Sequence, residues 1–385
     1  MRTSPGAIGL LALLLFCTAA TAALPTVPPP PEIAAKSYVL IDFATGKVLA
    51  ARDENTRMEP ASLTKLMTAY AVYKALQAGA VKITDDVRVS EHAWRTGGAG
   101  SGGSTTMLPI NSSAPMEVML KGMIIQSGND ASIALAEHVS GSEDAFSDVM
   151  NQHAQELGMT NSHFVNSTGL PHPDHYTSAA DIAKLSRAII AEFPEHYRWY
   201  SEKEFVFNNI RQGNRNLLLY RDPTVDGIKT GHTKSAGYCL AASAKRDDMR
   251  LISVVMAMES EQARAKASQE LLNYGFRFYE TRRVQQAGEQ IAQSRVWKGV
   301  AETVGLGVNA DLWLTIPRGT ADQLSSKPEA PRDLIAPVAQ GQPVGSLRIE
   351  LAGEPLAETP LVALAAVEEG SLWRQAVDTA LLWFE

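Results

Sequence analysis

The sequence predicts an α/β fold in which helices flank an antiparallel sheet, followed by a small all-β domain. Three observations carry this reading. Two apolar segments flank a short turn-like stretch near residue 45, several stretches of helical periodicity follow, and beyond Lys203 the period becomes that of strands before one more helix closes the domain. With 385 residues, 45% hydrophobic and 20% charged, the composition is that of a globular chain long enough for two cores. Lys and Arg number 35 against 42 Asp and Glu, and the formal charge of −7 gives no footprint for a polyanion, which argues against nucleic acid as a partner.

Residues 1–22 read as a secretory signal peptide, with Arg2, an apolar run from Ala7 to Cys17, and Ala20-Thr21-Ala22 as a small-x-small cleavage site. The apolar run is shorter than the roughly 20 residues of a spanning helix. Its removal takes Cys17 away and leaves Cys239 alone, so the exported chain is expected to rely on packing without an internal disulfide. Phe16 stands where a lipidated Cys17 would need a small residue before it. Five prolines between Leu24 and Pro31 indicate an extended leader.

Segments 38–43 and 47–51 around Ala44-Thr45-Gly46 form a predicted hairpin. A helix follows from about Ser62, just after Pro60, with Leu66, Ala69, Tyr70, Tyr73 and Leu76 at helical spacing and Gly79 as its stop. Helical patterns at 115–126, 130–140 and 142–157 come next, and a capping box at Ser178 and Asp181 opens another that ends before Pro194. Strands are expected at 204–207, 217–220, 225–230, 238–244 and 250–258, then a helix over 261–274, placing the main domain at 37–275. Residues 276–367, with β-rich segments at 284–286, 311–316 and 345–351 among five prolines, form the smaller domain; they show no clustered chemistry and read as a spacer or docking module. Residues 370–385 make an amphipathic helix, with Leu372, Trp373, Ala376, Val377, Ala380, Leu381 and Phe384 on one face and Arg374, Gln375, Asp378 and Thr379 on another. It is too short and polar to span a bilayer and suits an interfacial anchor at a membrane surface, the alternative being a closing helix docked on the β-domain.

Three short motifs carry chemistry. Ser62-Leu63-Thr64-Lys65 puts a hydroxyl and an amine one turn apart at a helix start, and burial can turn such a lysine into the base a serine nucleophile needs. Ser127-Gly128-Asn129 sets two short polar side chains in a loop between helices, and Lys229-Thr230-Gly231 lies on a candidate strand, with Gly231 leaving room for a substrate backbone and Lys229 adding a second cation. Singly each is weak: Ser is a common N-cap, and a given tripeptide recurs by chance.

In this order, on a helix start, an interhelical loop and a strand, the three form the signature of the penicillin-recognising serine enzymes. The flanking stretches 59–68, 126–131 and 225–233 narrow the match, and the chain resembles the low-molecular-mass penicillin-binding proteins that act as D-alanyl-D-alanine carboxypeptidases. The resemblance implies the transpeptidase/β-lactamase-like fold, Ser62 as acylated nucleophile, Lys65 as its base, and Ser127 with Lys229 as proton-relay and electrostatic partners. It implies Asn129 on the substrate amide, the Ser62 and His232 N–H groups as oxyanion hole, and the edge from Lys229 to Gly231 as the peptide's docking strand. Thr230 and Arg264, with Arg215 as a helper, match positions that receive the substrate's terminal carboxylate, a task suited to the planar guanidinium. The implied partners are peptidoglycan stem peptides ending in D-Ala-D-Ala and β-lactam antibiotics, acting on the periplasmic face of the inner membrane without a cofactor or metal. The resemblance also implies that the helix at 370–385 is an interfacial anchor, as in that family.

One departure is the glycine-rich loop 97–103, which bears on how tightly substrate is gripped and lacks the spacing of a nucleotide fingerprint. His172-Pro173-Asp174-His175 has no third ligand at suggestive spacing and reads as a polar loop. A β-lactamase of the most similar kind carries a Glu-x-x-Leu-Asn segment between the second and third motifs; here the nearest variant, Glu270-Leu-Leu-Asn273, has the wrong spacing and follows Lys229. A non-catalytic wall-peptide binder has no need of the Ser62/Lys65 pair.

Overall fold

The computed structural model describes residues 26–383, so the signal-peptide reading lies outside it, as do Phe384 and Glu385. The chain divides into two units: one holds Val27–Gln286 and Ala310–Gly319, the other Ala287–Asn309 and Thr320–Glu385.

In the larger unit, β1 (Ser37–Asp42) and β2 (Val48–Arg52) form the expected hairpin. Its turn is held by the Asp42 carboxylate, which accepts from the N–H and hydroxyl of Thr45 at 2.8 Å each. A 3₁₀ turn, Ala61–Thr64, leads into α1 (Lys65–Gln77). Every residue of α1 from Lys65 to Tyr73 is buried, so α1 is a central helix enclosed on all sides over this stretch.

Short β3 (Asp86–Arg88), α2 (Glu91–Gly97) and β4 (Ser113–Pro115) precede α3 (Met116–Lys121), which continues as one π-helical turn, Gly122–Gln126. Then come α4 (Asn129–Ser140), α5 (Glu143–Glu156), α6 (Ala179–Glu192) and α7 (Pro194–Tyr197). Ser142 and Ser178 cap α5 and α6 with their hydroxyls.

A small ladder, β5 (Glu204–Phe207) with β6 (Ile210–Gly213), is followed by α8 (Leu218–Arg221). The strand expected at 217–220 is therefore a helical turn, because the buried Asn216 side chain accepts from Leu218 N at 3.1 Å and starts it. Strands β7 (Val225–Thr233), β8 (Gly237–Arg246) and β9 (Met249–Met258) and helix α9 (Glu261–Phe278) fall where the sequence places them, with α9 running four residues further.

The main sheet has the order β2-β1-β9-β8-β7, antiparallel throughout, with first and last segments paired as expected and β7 on the edge. Alternation sends Val39, Ile41, Ile252 and Val254 into one core with the helices of the middle segment. Leu40, Leu251 and Val255 face the other core, with Leu271, Leu272 and Phe276 of α9.

The remaining strands are β10 (Tyr279–Gln285), β11 (Ala292–Trp297), β12 (Thr303–Gly307), β13 (Leu312–Pro317), β14 (Leu324–Glu329), β15 (Asp333–Ile335), β16 (Pro343–Leu351) and β17 (Glu354–Ala363). Strands β10 and β13 pair with each other and belong to the larger unit. The smaller unit is built on a six-stranded sheet, β14-β16-β17-β12-β11-β15, around a core that includes Val296, Leu306, Val338 and Val367.

Helix α10 (Leu372–Leu381) rests on this sheet's unit by its polar side. Asp378, 9% exposed, accepts from Lys298 N at 2.5 Å, and Arg374 pairs with Glu302 at 3.6 Å. Leu372 and Trp373 are 84% and 78% exposed, and Val377, Leu381 and Trp383 are exposed too. The amphipathic helix thus points its apolar side outward, the reverse of a helix that closes a core.

Candidate active site

Ser62 sits within the 3₁₀ turn, and Pro60 occupies the N-cap, so the hydroxyl is free of capping duty. The first helical residue is Lys65, whose Nζ lies 3.2 Å from Ser62 Oγ. Two further contacts hold that amine: Asn129 Oδ1 accepts at 2.7 Å and the Thr168 carbonyl at 2.6 Å. Complete burial, with the Arg215 cation as a second cause, lowers the Lys65 pKa to about 7. A neutral amine has two N–H groups and one lone pair. Two fixed acceptors take the N–H groups, and the third position faces the serine.

The second motif follows the π-helical turn, which ends with Ser127 in the left-handed region at φ 69°. Its Oγ is buried and has no hydrogen-bond partner. The third motif is on β7. Lys229 is buried, its pKa pushed well below the usual lysine range by burial and by the neighbouring cations of Lys65, Arg215 and Arg264, and its Nζ donates to Thr230 O at 3.2 Å. No hydrogen bond links Ser127 to Lys229.

Gly231 also has a packing reason to be glycine. A Cβ there would lie 2.8 Å from the Pro60 carbonyl oxygen, so the nucleophile turn packs closely on β7 at this point.

A cavity of about 290 Å³ gathers Ser62, Ser127, Thr230, His232, Arg215 and Arg264 around one opening, with Gly102–Ser104 as part of its rim. Arg264 is 2% exposed; it donates to the carbonyls of Gly231 at 3.0 Å and Cys239 at 3.4 Å and pairs with Glu261 at 3.3 Å. Its guanidinium lies over the Tyr238 ring, which stacks on His232. The exposed Arg215 projects from between two buried amides: Asn214 accepts from Asn216 N, and Asn216 donates to Gly227 O at 2.9 Å.

A family model for D-alanyl-D-alanine carboxypeptidases matches residues 24–260, and one for the C-terminal domain of penicillin-binding protein 5 matches 279–369. The D-alanyl-D-alanine carboxypeptidase DacA of Escherichia coli K12 is 43% identical over 361 residues, 93% of this chain and 90% of its own. The chain belongs to the D-alanyl-D-alanine carboxypeptidase family. Penicillin-binding protein 5 of Haemophilus influenzae superposes with a TM-score of 0.84 at 41% identity, covering 89% of this chain and all of that one. Penicillin-binding protein D2 of Listeria monocytogenes in its ampicillin-bound form gives 0.56 at 25% identity, covering 65% of this chain and all of that one.

Several residues that shape this carboxypeptidase's site are not in the three motifs. Asn166 Oδ1 accepts from the N–H groups of Thr168 and Gly169 and from the Thr168 hydroxyl, fixing the carbonyl that holds Lys65. Glu143 accepts from the N–H and hydroxyl of Ser167 at 2.9 and 2.6 Å. Fully buried Asp130 accepts from Thr105 Oγ1 and from the N–H groups of Thr106, Leu108 and Ala131, tying the segment after the glycine-rich loop to α4. Gly97 of that loop lies so close to α4 that a Cβ would sit 2.2 Å from Asp130 N.

His175, from the His-Pro-Asp-His stretch, is buried. It accepts from Val165 N at Nδ1, so its proton is on Nε2 and goes to Thr64 Oγ1 at 2.8 Å, between Ser62 and Lys65 in sequence. Burial lowers its pKa to about 4, keeping it neutral.

Proposed function

We propose that this D-alanyl-D-alanine carboxypeptidase is exported and works by an acyl-enzyme on Ser62, removing the terminal D-Ala of peptidoglycan pentapeptides. The observation that carries the reading is the geometry of the Lys65 amine, 3.2 Å from Ser62 Oγ and held by two fixed acceptors, Asn129 Oδ1 and the Thr168 carbonyl, with burial lowering its pKa to about 7 so that the neutral, basic form is well populated at neutral pH. Ser62 Oγ attacks the penultimate D-Ala carbonyl while Lys65 Nζ takes its proton. The N–H groups of Ser62 and His232 hold the oxyanion. The C–N bond then breaks, and the leaving amine takes a proton through the Lys65 and Ser127 side of the site, with Lys229 as the further polar partner there. Water attacks the acyl ester in the second half and regenerates Ser62. Arg264, Thr230 and Arg215 hold the departing carboxylate, and Asn129 Nδ2, left over when Oδ1 serves Lys65, holds the substrate amide. A β-lactam enters as a cyclic mimic of the same amide and leaves a persistent ester; an ampicillin-bound structure of the Listeria relative supports this.

The outward apolar side of α10 supports attachment to a membrane surface on the outer side of the inner membrane. Among the described residues no helix is long and apolar enough to cross a bilayer. The mechanism is tested by following D-Ala release from an acylated peptide ending in D-Ala-D-Ala. Wild type should release it and Ser62→Ala should not; release by the variant would overturn the assignment.

A further inference from the structure

The Thr168 carbonyl, which accepts from Lys65 Nζ, belongs to a segment, 166–169, that is gripped from several sides. The Ser167 carbonyl accepts from Thr68 Oγ1 of α1 and from Ser132 Oγ of α4, at 2.7 Å each, and Asn166 Oδ1 holds the N–H groups of Thr168 and Gly169. The Ser167 N–H and hydroxyl both go to one oxygen of Glu143, Oε1. Of Thr68, Ser132, Asn166 and Glu143, the last alone carries charge.

Glu143 is the first residue of α5, where the helix N-terminus favours a carboxylate. Its second oxygen, Oε2, lies 3.2 Å from Nε2 of His92 on α2, and His92 Nδ1 lies 3.3 Å from Thr96 Oγ1. The neutral imidazole thus donates from Nε2 to Glu143 and accepts at Nδ1 from Thr96. Glu143, its side chain 14% exposed, is held at both oxygens.

An amide would hold the Ser167 N–H and hydroxyl equally well; what a carboxylate adds is charge. The cavity is rich in cations, with Lys65, Lys229, Arg215 and Arg264 acting on one another. The carboxylates that act on Lys65 are two. Asp130 accepts from Thr105 and three backbone N–H groups, and Glu143 is the other; the nearby His175 is neutral.

Resting on the acyl-enzyme reading above, we propose that Glu143, held by His92, is a positioning residue for removal of the Ser62 proton: it fixes the segment that aims the Lys65 amine at Ser62 Oγ, and its charge stands against the cations of the cavity. It touches no reacting atom. Losing its bonds displaces the amine and slows acylation at every pH. Losing its charge alone makes protonated Lys65 less favourable, so the amine gives up its proton at lower pH.

The test is the rate of penicillin capture as a function of pH, for wild type, Glu143→Gln and Glu143→Ala. Glutamine keeps an acceptor for Ser167 and donates to His92 in its other tautomer, so Glu143→Gln removes only the charge. Its rising limb should lie roughly half a pH unit below that of wild type, the scale of one charge acting on a buried amine across intervening groups. Its plateau should fall no more than about twofold. Glu143→Ala should show the same displacement and a plateau lowered by roughly tenfold. A Glu143→Gln limb that coincides with wild type would overturn the proposal, and so would a Glu143→Ala plateau equal to that of wild type. Should Glu143→Ala not fold, the Glu143→Gln profile decides alone. A wild-type rate with no rising limb, or no adduct on Ser62, would instead overturn the Lys65 base beneath the proposal.

Discussion

Lys65 is a cation placed where a cation is poorly solvated, and the same burial that makes it a base makes it a cost to the fold. With its pKa at about 7, the acylation rate should climb as pH rises through that value and then level off, measured as the rate of penicillin capture. Between pH 7 and the unfolded lysine pKa the unfolded chain binds more protons, so this residue's contribution to stability rises with pH over that window. His175 acts at lower pH by the same rule. Its folded pKa of about 4 lies below the ordinary histidine value of 6.5, so stability is lost as pH falls through that interval, on the order of 1 kcal/mol per pH unit. His175→Gln can still accept from Val165 and donate to Thr64. It should flatten the fall in melting temperature between pH 6.5 and 4.5, and an unchanged slope would show that other groups carry it. Arg264→Ala should impair turnover of a D-Ala-terminated peptide more than penicillin acylation, and an amide-terminated peptide should already be poor. Equal loss on peptide acid and amide would make Arg264 a structural partner of Glu261.

At the scale of elements, the motif chemistry was legible because it constrains residue type: a hydroxyl and an amine one turn apart, a loop of Ser-Gly-Asn, a strand of Lys-Thr-Gly. The network beneath was not. Asn166, Glu143 and Asp130 look like any loop or helix polar residue, and only the chain's three-dimensional return brings Ser167, Thr168 and Thr106 to them. The apolar run at 217–220 suggests a strand because it carries no period of its own, and a buried asparagine just upstream makes Leu218–Arg221 a helical turn. Asp130→Ala leaves three buried backbone N–H groups without an acceptor and should destabilise the protein by roughly 3–5 kcal/mol in a denaturant titration, since each such loss is worth about 1–3 kcal/mol. A cost below about 1 kcal/mol would show that the loop finds other partners. Gly97→Ala, which forces a Cβ against α4, should slow acylation by displacing Asn129.

For the whole molecule, the order of hairpin, helices, strands and closing helix was enough to give a sheet whose ends meet, because short connections leave few alternatives. The direction in which α10 faces was not legible: the sequence defines two sides, and only the bond from Asp378 to Lys298 N tells which one is turned inward. A chain ending at Glu369 should retain full activity on soluble peptide and leave the membrane fraction. Because Arg374 is the only cation in the helix, wild-type attachment should be modest and weakly dependent on salt. Persistence of the shortened chain on membranes would refute the anchor. Whether the three motifs converge to make Ser62 an acylable nucleophile is decided by mass spectrometry of the protein after brief exposure to a labelled penicillin, followed by peptide mapping. One stable adduct per chain is expected, on the peptide carrying Ser62. An adduct elsewhere, no adduct at all, or one that turns over rapidly as in a β-lactamase would contradict an acylable Ser62 of this kind.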